Sequence, residues 1–164
     1  MSRFATDSPE VVALMKKASE ALGRELSAPK DVFHFGDERD PKTGDVRLRD
    51  ALKDLKTATT SWPVPSPRYW GVGDNSVILN GEEKPVAVME TLSLVECKFR
   101  DVAEDFALAE NEGTYQDYRE GHLVFYNKQN KGKFDDDSMV LCERFRIIYP
   151  INEEREALFE SLAA

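Results

Sequence analysis

The segment Lys56-Thr57-Ala58-Thr59 combines residue types that can perform acyl-transfer chemistry. A partly desolvated lysine can act as a base, and a neighbouring threonine hydroxyl can then act as a nucleophile. Lys56 and Thr59 lie three residues apart, where a helical pattern passes into a segment that favours a strand. The alternative is purely structural, because lysine often ends a helix and threonine is common in strands.

The loop over residues 62–74 is rich in proline, glycine and aromatic residues, and it offers contacts for a ligand. Tyr69 and Trp70 can stack on a nucleobase, because every base presents a π face. Arg68 beside them, and Arg144 on a predicted strand, can contact a phosphate or a base edge. We therefore predict that these four residues bind substrate. Alternatively, the aromatic side chains anchor the loop against the core.

The sequence predicts neither a metal site nor a cofactor. Only two cysteines occur, Cys97 and Cys142, and they lie far apart without a Cys-x-x-Cys pair. Both belong to apolar, strand-like runs, which favours buried free thiols over a disulfide or a nucleophile. His34 and His122 are isolated histidines, for which packing or hydrogen bonding is the expected role.

The length of 164 residues suits one domain with a single core. Hydrophobic residues make up 41% of the chain and charged residues 32%, a balance typical of a folded domain with a well-solvated surface. No apolar run approaches the ~20 residues of a membrane-spanning helix, and residues 1–7 lack the apolar stretch of a secretory signal. We therefore expect a cytoplasmic protein that does not contact membranes.

The net charge of −9 restricts the ligands that the protein can bind tightly. Sequence-independent binding to a long polyanion depends on many lysine and arginine contacts that release counterions. An acidic protein of this size has few such contacts to offer, so the composition favours a small ligand or a short single strand.

The pattern of apolar residues predicts an α+β fold. Asn80-Gly81 lies between two β-rich runs, which indicates a hairpin whose turn residues adopt positive φ angles. Together the elements predict a small, strongly curved sheet or barrel flanked by helices. The predicted helices cover residues 8–22, 45–55, 101–110, 115–126 and 152–162, and the predicted strands cover 32–35, 76–79, 85–92 and 139–149.

Five segments, taken together, resemble the longer bacterial proteins of the ASCH domain family in their order and spacing. The resemblance extends from about Phe33 to Pro150. Asp54 stands where the family pattern has glycine, and Thr59-Thr60-Ser61 replaces its charged continuation. The five segments are Phe33-His34-Phe35-Gly36-Asp37, Lys56-Thr57-Ala58-Thr59, Gly73-Asp74, Asp105-Phe106-Ala107-Leu108-Ala109-Glu110-Asn111-Glu112-Gly113 and Val140-Leu141-Cys142-Glu143-Arg144-Phe145.

The resemblance implies a small PUA-like β-barrel flanked by helices, with a cleft where RNA or a modified nucleoside binds. It also implies how the chain is organised. Residues 1–45 would form an N-terminal helix and a lead-in segment packed on the domain. Residues 46–150 would form the ASCH domain itself, and residues 151–164 would form a C-terminal helix.

One ASCH-like group, the N4-acetylcytidine amidohydrolases, is described by a Lys, Thr and Glu triad. The matching positions are Lys56, Thr59 and Glu110. The resemblance therefore implies a hydrolase that acts on an amide of a modified base, with Thr59 as the nucleophile and Lys56 as the base. Two alternatives remain. Other longer ASCH proteins are regarded as ribonucleases acting on single-stranded RNA, and a non-catalytic RNA-binding module would use the same residues only to hold its ligand.

Overall fold

The computed structural model describes residues 4–36, 40–129 and 132–162. Asp37, in one of the segments that resemble the ASCH family, lies outside these ranges. Within them, no helix is long and apolar enough to cross a bilayer. The helices are α1 (Pro9–Leu22), α2 (Pro41–Leu52), α3 (Glu104–Ala109), α4 (Tyr115–Lys128) and α5 (Asn152–Ser161). The strands are β1 (Asp31–Phe33), β2 (Ala58–Ser61), β3 (Asn75–Leu79), β4 (Pro85–Lys98) and β5 (Met139–Tyr149).

Helix α1 begins and ends at the residues that the sequence predicts. The side chain of Ser8 accepts a hydrogen bond from the backbone N–H of Val11, and Pro9 occupies the first helical turn. Gly23 ends the helix with a φ of 67°, a left-handed conformation that glycine adopts without strain. The buried stripe of α1 packs against β4 and β5 and consists of Val11, Leu14, Met15 and Ala18.

Helix α2 begins earlier than predicted, at Pro41 rather than at Asp45. The reason lies in its cap, because the Asp40 side chain accepts a hydrogen bond from the backbone N–H of Thr43. Pro41 then takes the first helical position, where its missing N–H has no consequence. This helix delivers the chain to Lys56.

The five strands form one sheet in the order β1-β3-β4-β5-β2. β1 pairs with β3 in parallel, and the other three pairs are antiparallel. The predicted α+β class is confirmed. The sheet of the described residues is open, however, with β1 and β2 as its edges, so the predicted barrel does not close. Side chains occupy the outer edge of β2 instead, because Lys56 Nζ donates to the carbonyl of Ala58 and Tyr126 donates to that of Thr60.

The hairpin of β3 and β4 is confirmed, but the predicted conformation of its turn is wrong. Neither Asn80 nor Gly81 has a positive φ, and Glu83 adopts one of 62° instead. The Asn80 side chain accepts hydrogen bonds from two backbone N–H groups of the turn. Gly81 is required for a different reason, since a Cβ there would lie 2.8 Å from Asp45 Oδ2 and 2.9 Å from the carbonyl of Pro41.

Alternation along β5 divides the core between the helices. Val140 and Cys142 face a cluster that includes residues of α3 and α4. Phe145 and Ile147 face a cluster that includes residues of α2. Glu143 has the parity of Phe145, so its side chain lies on the α2 side of the strand.

Candidate functional site

A cleft of about 960 Å³ lies between the segments that adjoin the two edges of the sheet. Phe35 and Gly36, which follow β1, form one part of its wall. Lys56, Thr59 and Thr60 contribute from β2 and the residues before it. Residues of α2, residues that follow α3 and residues of α4 complete the wall. The concave surface therefore forms where the sheet does not close into a barrel.

Lys56 is buried in this cleft, with 3% of its side chain exposed. Its Nζ donates to the carbonyl of Ala58 at 2.7 Å and lies 3.3 Å from Glu110 Oε1. The same ammonium group lies over the Phe35 ring, 5.3 Å from its centroid. Asp54 adopts a φ of 59° just before it, which turns the chain out of α2 and towards β2.

Glu110 follows α3 directly, and its side chain is as buried as that of Lys56. Burial alone would raise the pKa of Glu110. The Lys56 charge, the hydrogen bonds and charge of His122 and the hydroxyl of Thr60 outweigh burial and lower this pKa to about 2. Glu110 is therefore a fixed negative charge at neutral pH.

His122, for which the sequence predicted packing or hydrogen bonding, lines the cleft. Its Nε2 lies 3.4 Å from Glu110 Oε2, and its Nδ1 lies 3.7 Å from Glu112 Oε2. The Nδ1–H group donates to the carbonyl of Tyr118 at 2.8 Å, one helical turn earlier. Burial opposes the charged ring, but the two carboxylates and this carbonyl raise the pKa of His122 above its ordinary value. The spacing of Tyr118, His122 and Tyr126 at four-residue intervals is the signal that predicts their common face.

Two adjacent threonines of β2 have different partners. The hydroxyl of Thr60 donates to Glu110 Oε2 and accepts from Tyr118, whose oxygen lies 2.8 Å away. Thr59 also lines the cleft. Its side chain lies on the opposite face of β2 from that of Thr60, because neighbouring residues of a strand point to opposite faces. Its cross-strand partner is Glu143. Thr60, which sequence reasoning did not select, is thus the threonine that contacts Glu110.

The three residues of the predicted triad therefore line one cleft, while the four predicted ligand contacts lie outside its wall. Arg68 forms an ion pair with Glu96 on β4. Arg144 lies on the α3 side of β5, 3.1 Å from Asp105 Oδ2 and over the ring of Phe106.

Tyr69 and Trp70 pack against each other, with ring centroids 4.7 Å apart. Burial, together with the charge and a hydrogen bond of Asp31, raises the pKa of Tyr69 to about 12. Trp70 is buried, as expected of a residue that anchors the loop. Both rings lie close to Glu143, whose charge influences Tyr69 and whose carboxyl group neighbours the Trp70 indole.

Three side chains of the cleft carry donor atoms within 4.8 Å of one another and could hold a divalent cation: Glu110, Glu112 and His122. The carboxylate oxygens of Glu110 already have other partners. Glu110 Oε1 faces the Lys56 ammonium group, and its Oε2 accepts from Thr60. Since Lys56 would repel a cation here, the donor set suits an ion-pair network better than a metal.

Two solved structures share the fold of this chain. A protein of Enterococcus faecalis superposes with a TM-score of 0.74 at 23% identity, covering 85% of this chain and 90% of that one. An ASCH domain from Lactobacillus crispatus gives a TM-score of 0.74 at 23% identity, covering 87% of this chain and 96% of that one. A comparison with curated proteins finds no match.

The sequence model of the ASCH domain matches residues 31–149, close to the range that the resemblance predicts. The match spans β1 to β5 and includes every residue that lines the cleft. ASCH domains are RNA-binding domains of the PUA-like class. The chain belongs to the ASCH domain family.

Proposed function

We propose that this domain binds a pyrimidine nucleoside, or the base of a short single-stranded RNA, and hydrolyses an amide on that base, as in N4-acetylcytidine. The observation that carries the proposal is the buried pair of Lys56 and Glu110 in a cleft whose wall includes Thr59. Burying two charges together is costly unless they serve each other or a ligand. Such pairs are common at sites of proton transfer.

In this proposal Lys56 first releases its ammonium proton to solvent. The Thr59 hydroxyl then attacks the acetyl carbonyl, and the Lys56 amine accepts the hydroxyl proton. Lys56 then returns the proton to the departing base nitrogen, and water hydrolyses the resulting acyl-threonine ester. Glu110 positions Lys56 throughout. Because the pKa of Glu110 is lowered to about 2, we assign it this orienting role and not that of a proton shuttle.

The charge of the cleft supports a small ligand. Its wall carries the acidic residues Asp40, Glu110, Glu112, Asp117 and Glu120, and fewer basic ones. A row of phosphates would be repelled by these carboxylates, whereas an uncharged nucleoside would not. The net charge of −9 acts in the same direction.

Lys56→Ala and Thr59→Val test the mechanism, with Thr57→Val as the matched control because Thr57 does not line the cleft. Each protein is incubated with N4-acetylcytidine, and the products are measured by mass spectrometry. We expect both cleft variants to lose turnover by ~100-fold or more, since each removes a positioned reacting group. The control should retain wild-type turnover. Unchanged deacetylation by folded Thr59→Val would exclude Thr59 as the nucleophile.

A ribonuclease is the second candidate, and the position of His122 favours it. Lys56 and His122 contact the same carboxylate from two sides, so a base and an acid for phosphodiester cleavage lie in one cleft. Labelled single-stranded RNA, incubated with the same variants, separates the two functions. RNA cleavage that survives Thr59→Val and disappears in Lys56→Ala would support the ribonuclease and contradict the amidohydrolase.

A further inference from the structure

Glu143 is a second buried acid, and the mechanism proposed above does not use it. Only 4% of this residue is exposed. Its Oε2 accepts a hydrogen bond from the Thr91 hydroxyl at 2.6 Å. Burial raises the pKa of Glu143 to about 7, although Thr91 and Trp70 act against this shift. A buried, strongly perturbed acid beside a cleft is typical of a functional residue.

Glu143 does not line the cleft itself, but its cross-strand partner Thr59 does. Thr59 and Glu143 stand directly opposite each other on the antiparallel strands β2 and β5. Side chains of such a pair lie on the same face, with Cβ atoms about 4.5–5.5 Å apart. Because Thr59 lines the cleft, a ligand group held at Thr59 lies within reach of the Glu143 carboxyl group.

The Trp70 indole is the second unused group at this position. Its Nε1 is buried beside the Glu143 carboxyl group, yet it makes no well-aligned hydrogen bond within the described residues. A buried donor without an acceptor is destabilising unless a ligand supplies one. Tyr69, which packs on Trp70, is only partly buried.

The two groups form a pair of hydrogen-bonding partners, one acceptor and one donor. An exocyclic amino or amide N–H next to an unprotonated ring nitrogen has the complementary arrangement, which cytosine and adenine share. Uracil in the same orientation presents a carbonyl oxygen to the carboxyl group and an N–H to the indole, so both contacts become unfavourable. Glu143 and Trp70 together therefore favour cytosine and adenine over uracil.

We propose that Glu143 and Trp70 recognise the cytosine edge of the ligand, with Glu143 accepting from the N–H at position 4 and Trp70 Nε1 donating to ring nitrogen 3. The proposal rests on the proposed function, because the acyl group on that nitrogen must reach Thr59. Glu143 and Trp70 determine specificity here and take no part in bond making.

Isothermal titration with cytidine, uridine and adenosine tests this recognition without requiring turnover. We expect the wild type to bind cytidine at least about tenfold more tightly than uridine, the discrimination typical of a good paired contact. In Glu143→Gln the side-chain amide can either donate or accept, so the ratio should fall to about one. Trp70→Phe removes only the donor and should weaken cytidine binding by about tenfold. Glu153→Gln, on the exposed face of α5, is the control and should keep the wild-type ratio.

The inference is wrong if folded Glu143→Gln keeps the wild-type preference for cytidine over uridine, or if the wild type binds uridine as tightly as cytidine. Trp70→Phe decides the question if Glu143→Gln does not fold. Deacetylation of N4-acetylcytidine, measured in parallel, separates this inference from the proposed function. Selective cytidine binding without deacetylation would support the recognition site and contradict the hydrolase, and deacetylation with unchanged base preference in Glu143→Gln would do the reverse.

Discussion

Glu110 and Glu143 are buried to the same extent, but their surroundings shift their pKa values in opposite directions. Glu110 faces the Lys56 ammonium group and His122, which stabilise its charged form. Glu143 instead has the neutral hydroxyl of Thr91 and the indole of Trp70 as neighbours, and Asp31 adds negative charge. Neighbouring charged side chains, and not burial, therefore decide which of the two acids is charged at neutral pH.

The raised pKa of Glu143 predicts how stability depends on pH. The stabilisation by the protonated acid is complete below the ordinary value of 4.5 and is lost as the pH rises towards about 7. A shift of this size corresponds to roughly 3 kcal/mol. Glu143→Gln has no such loss, so we expect its stability relative to the wild type to increase by up to that amount between pH 5 and pH 8.

Urea unfolding of both proteins across this pH range measures the difference. Glu153→Gln, an exposed substitution on α5, is the control and should follow the wild type at every pH. A stability difference between Glu143→Gln and the wild type that does not change with pH would show that Glu143 titrates normally.

Among the helices and strands, the features predicted correctly are those that depend on residues close together in sequence. The cap at Ser8, the run of β5 from Met139 to Tyr149 and the β3–β4 hairpin all follow from neighbouring residues. The predicted positive φ angles at Asn80-Gly81 were wrong. Glycine is needed at position 81 because a side chain there would clash with α2, and the sequence around the turn does not show that contact.

The candidate site was predictable only in part, because its contacts are distant in sequence. Lys56 and Glu110 are 54 residues apart, and only the resemblance to the ASCH family connected them. The contact of Thr60 with Glu110 depends on which face of β2 each threonine occupies. That choice is set by pairing with β5, more than 80 residues later, so the sequence around Thr60 cannot specify it.

The turn between α2 and β2 offers a test of backbone conformation. Asp54 stands where the family pattern has glycine, and it adopts a φ of 59°, which is unfavourable for most side chains. Asp54→Gly relieves this strain but gives the unfolded chain more freedom, so stability should change by less than about 0.5 kcal/mol. Asp54→Val, which retains the strain and adds a branched side chain, should cost about 1–2 kcal/mol.

Thermal unfolding of the two Asp54 variants measures the contrast. Lys53→Gly, one residue earlier at a negative φ of −89°, is the control and should lose about 0.5–1 kcal/mol. Equal stability of Asp54→Gly and Asp54→Val would contradict a left-handed conformation at this position.

For the molecule as a whole, the open sheet and the acidic surface together restrict what can bind. The cleft lies where the sheet fails to close, between β2 and the chain that follows β1. Its wall is rich in carboxylates, and the chain has a net charge of −9. A single base can enter such a cleft more favourably than a phosphate backbone can lie along it.

We therefore expect weak binding to long RNA, with a dissociation constant of about 10⁻⁴ M or weaker at physiological salt. Fluorescence anisotropy at about 50 mM and about 200 mM salt should show a further loss of affinity at the higher concentration. Cytidine is the control, because it has no phosphate and its affinity should not depend on salt. Tight, salt-resistant binding to a structured RNA would instead support the non-catalytic recognition module.

The strand β2 has only four residues, and it presents functional groups on both faces. Thr60 contacts Glu110 on one face, and Thr59 lies opposite Glu143 on the other. Inserting or deleting one residue within β2 would exchange these faces and disconnect both acids from their threonines. Residues 63–67 of the connection between β2 and β3 line no part of the cleft and are under no such constraint. Natural variants of this domain are therefore expected to differ in length within that connection, and to keep the length of β2 unchanged even where its sequence varies.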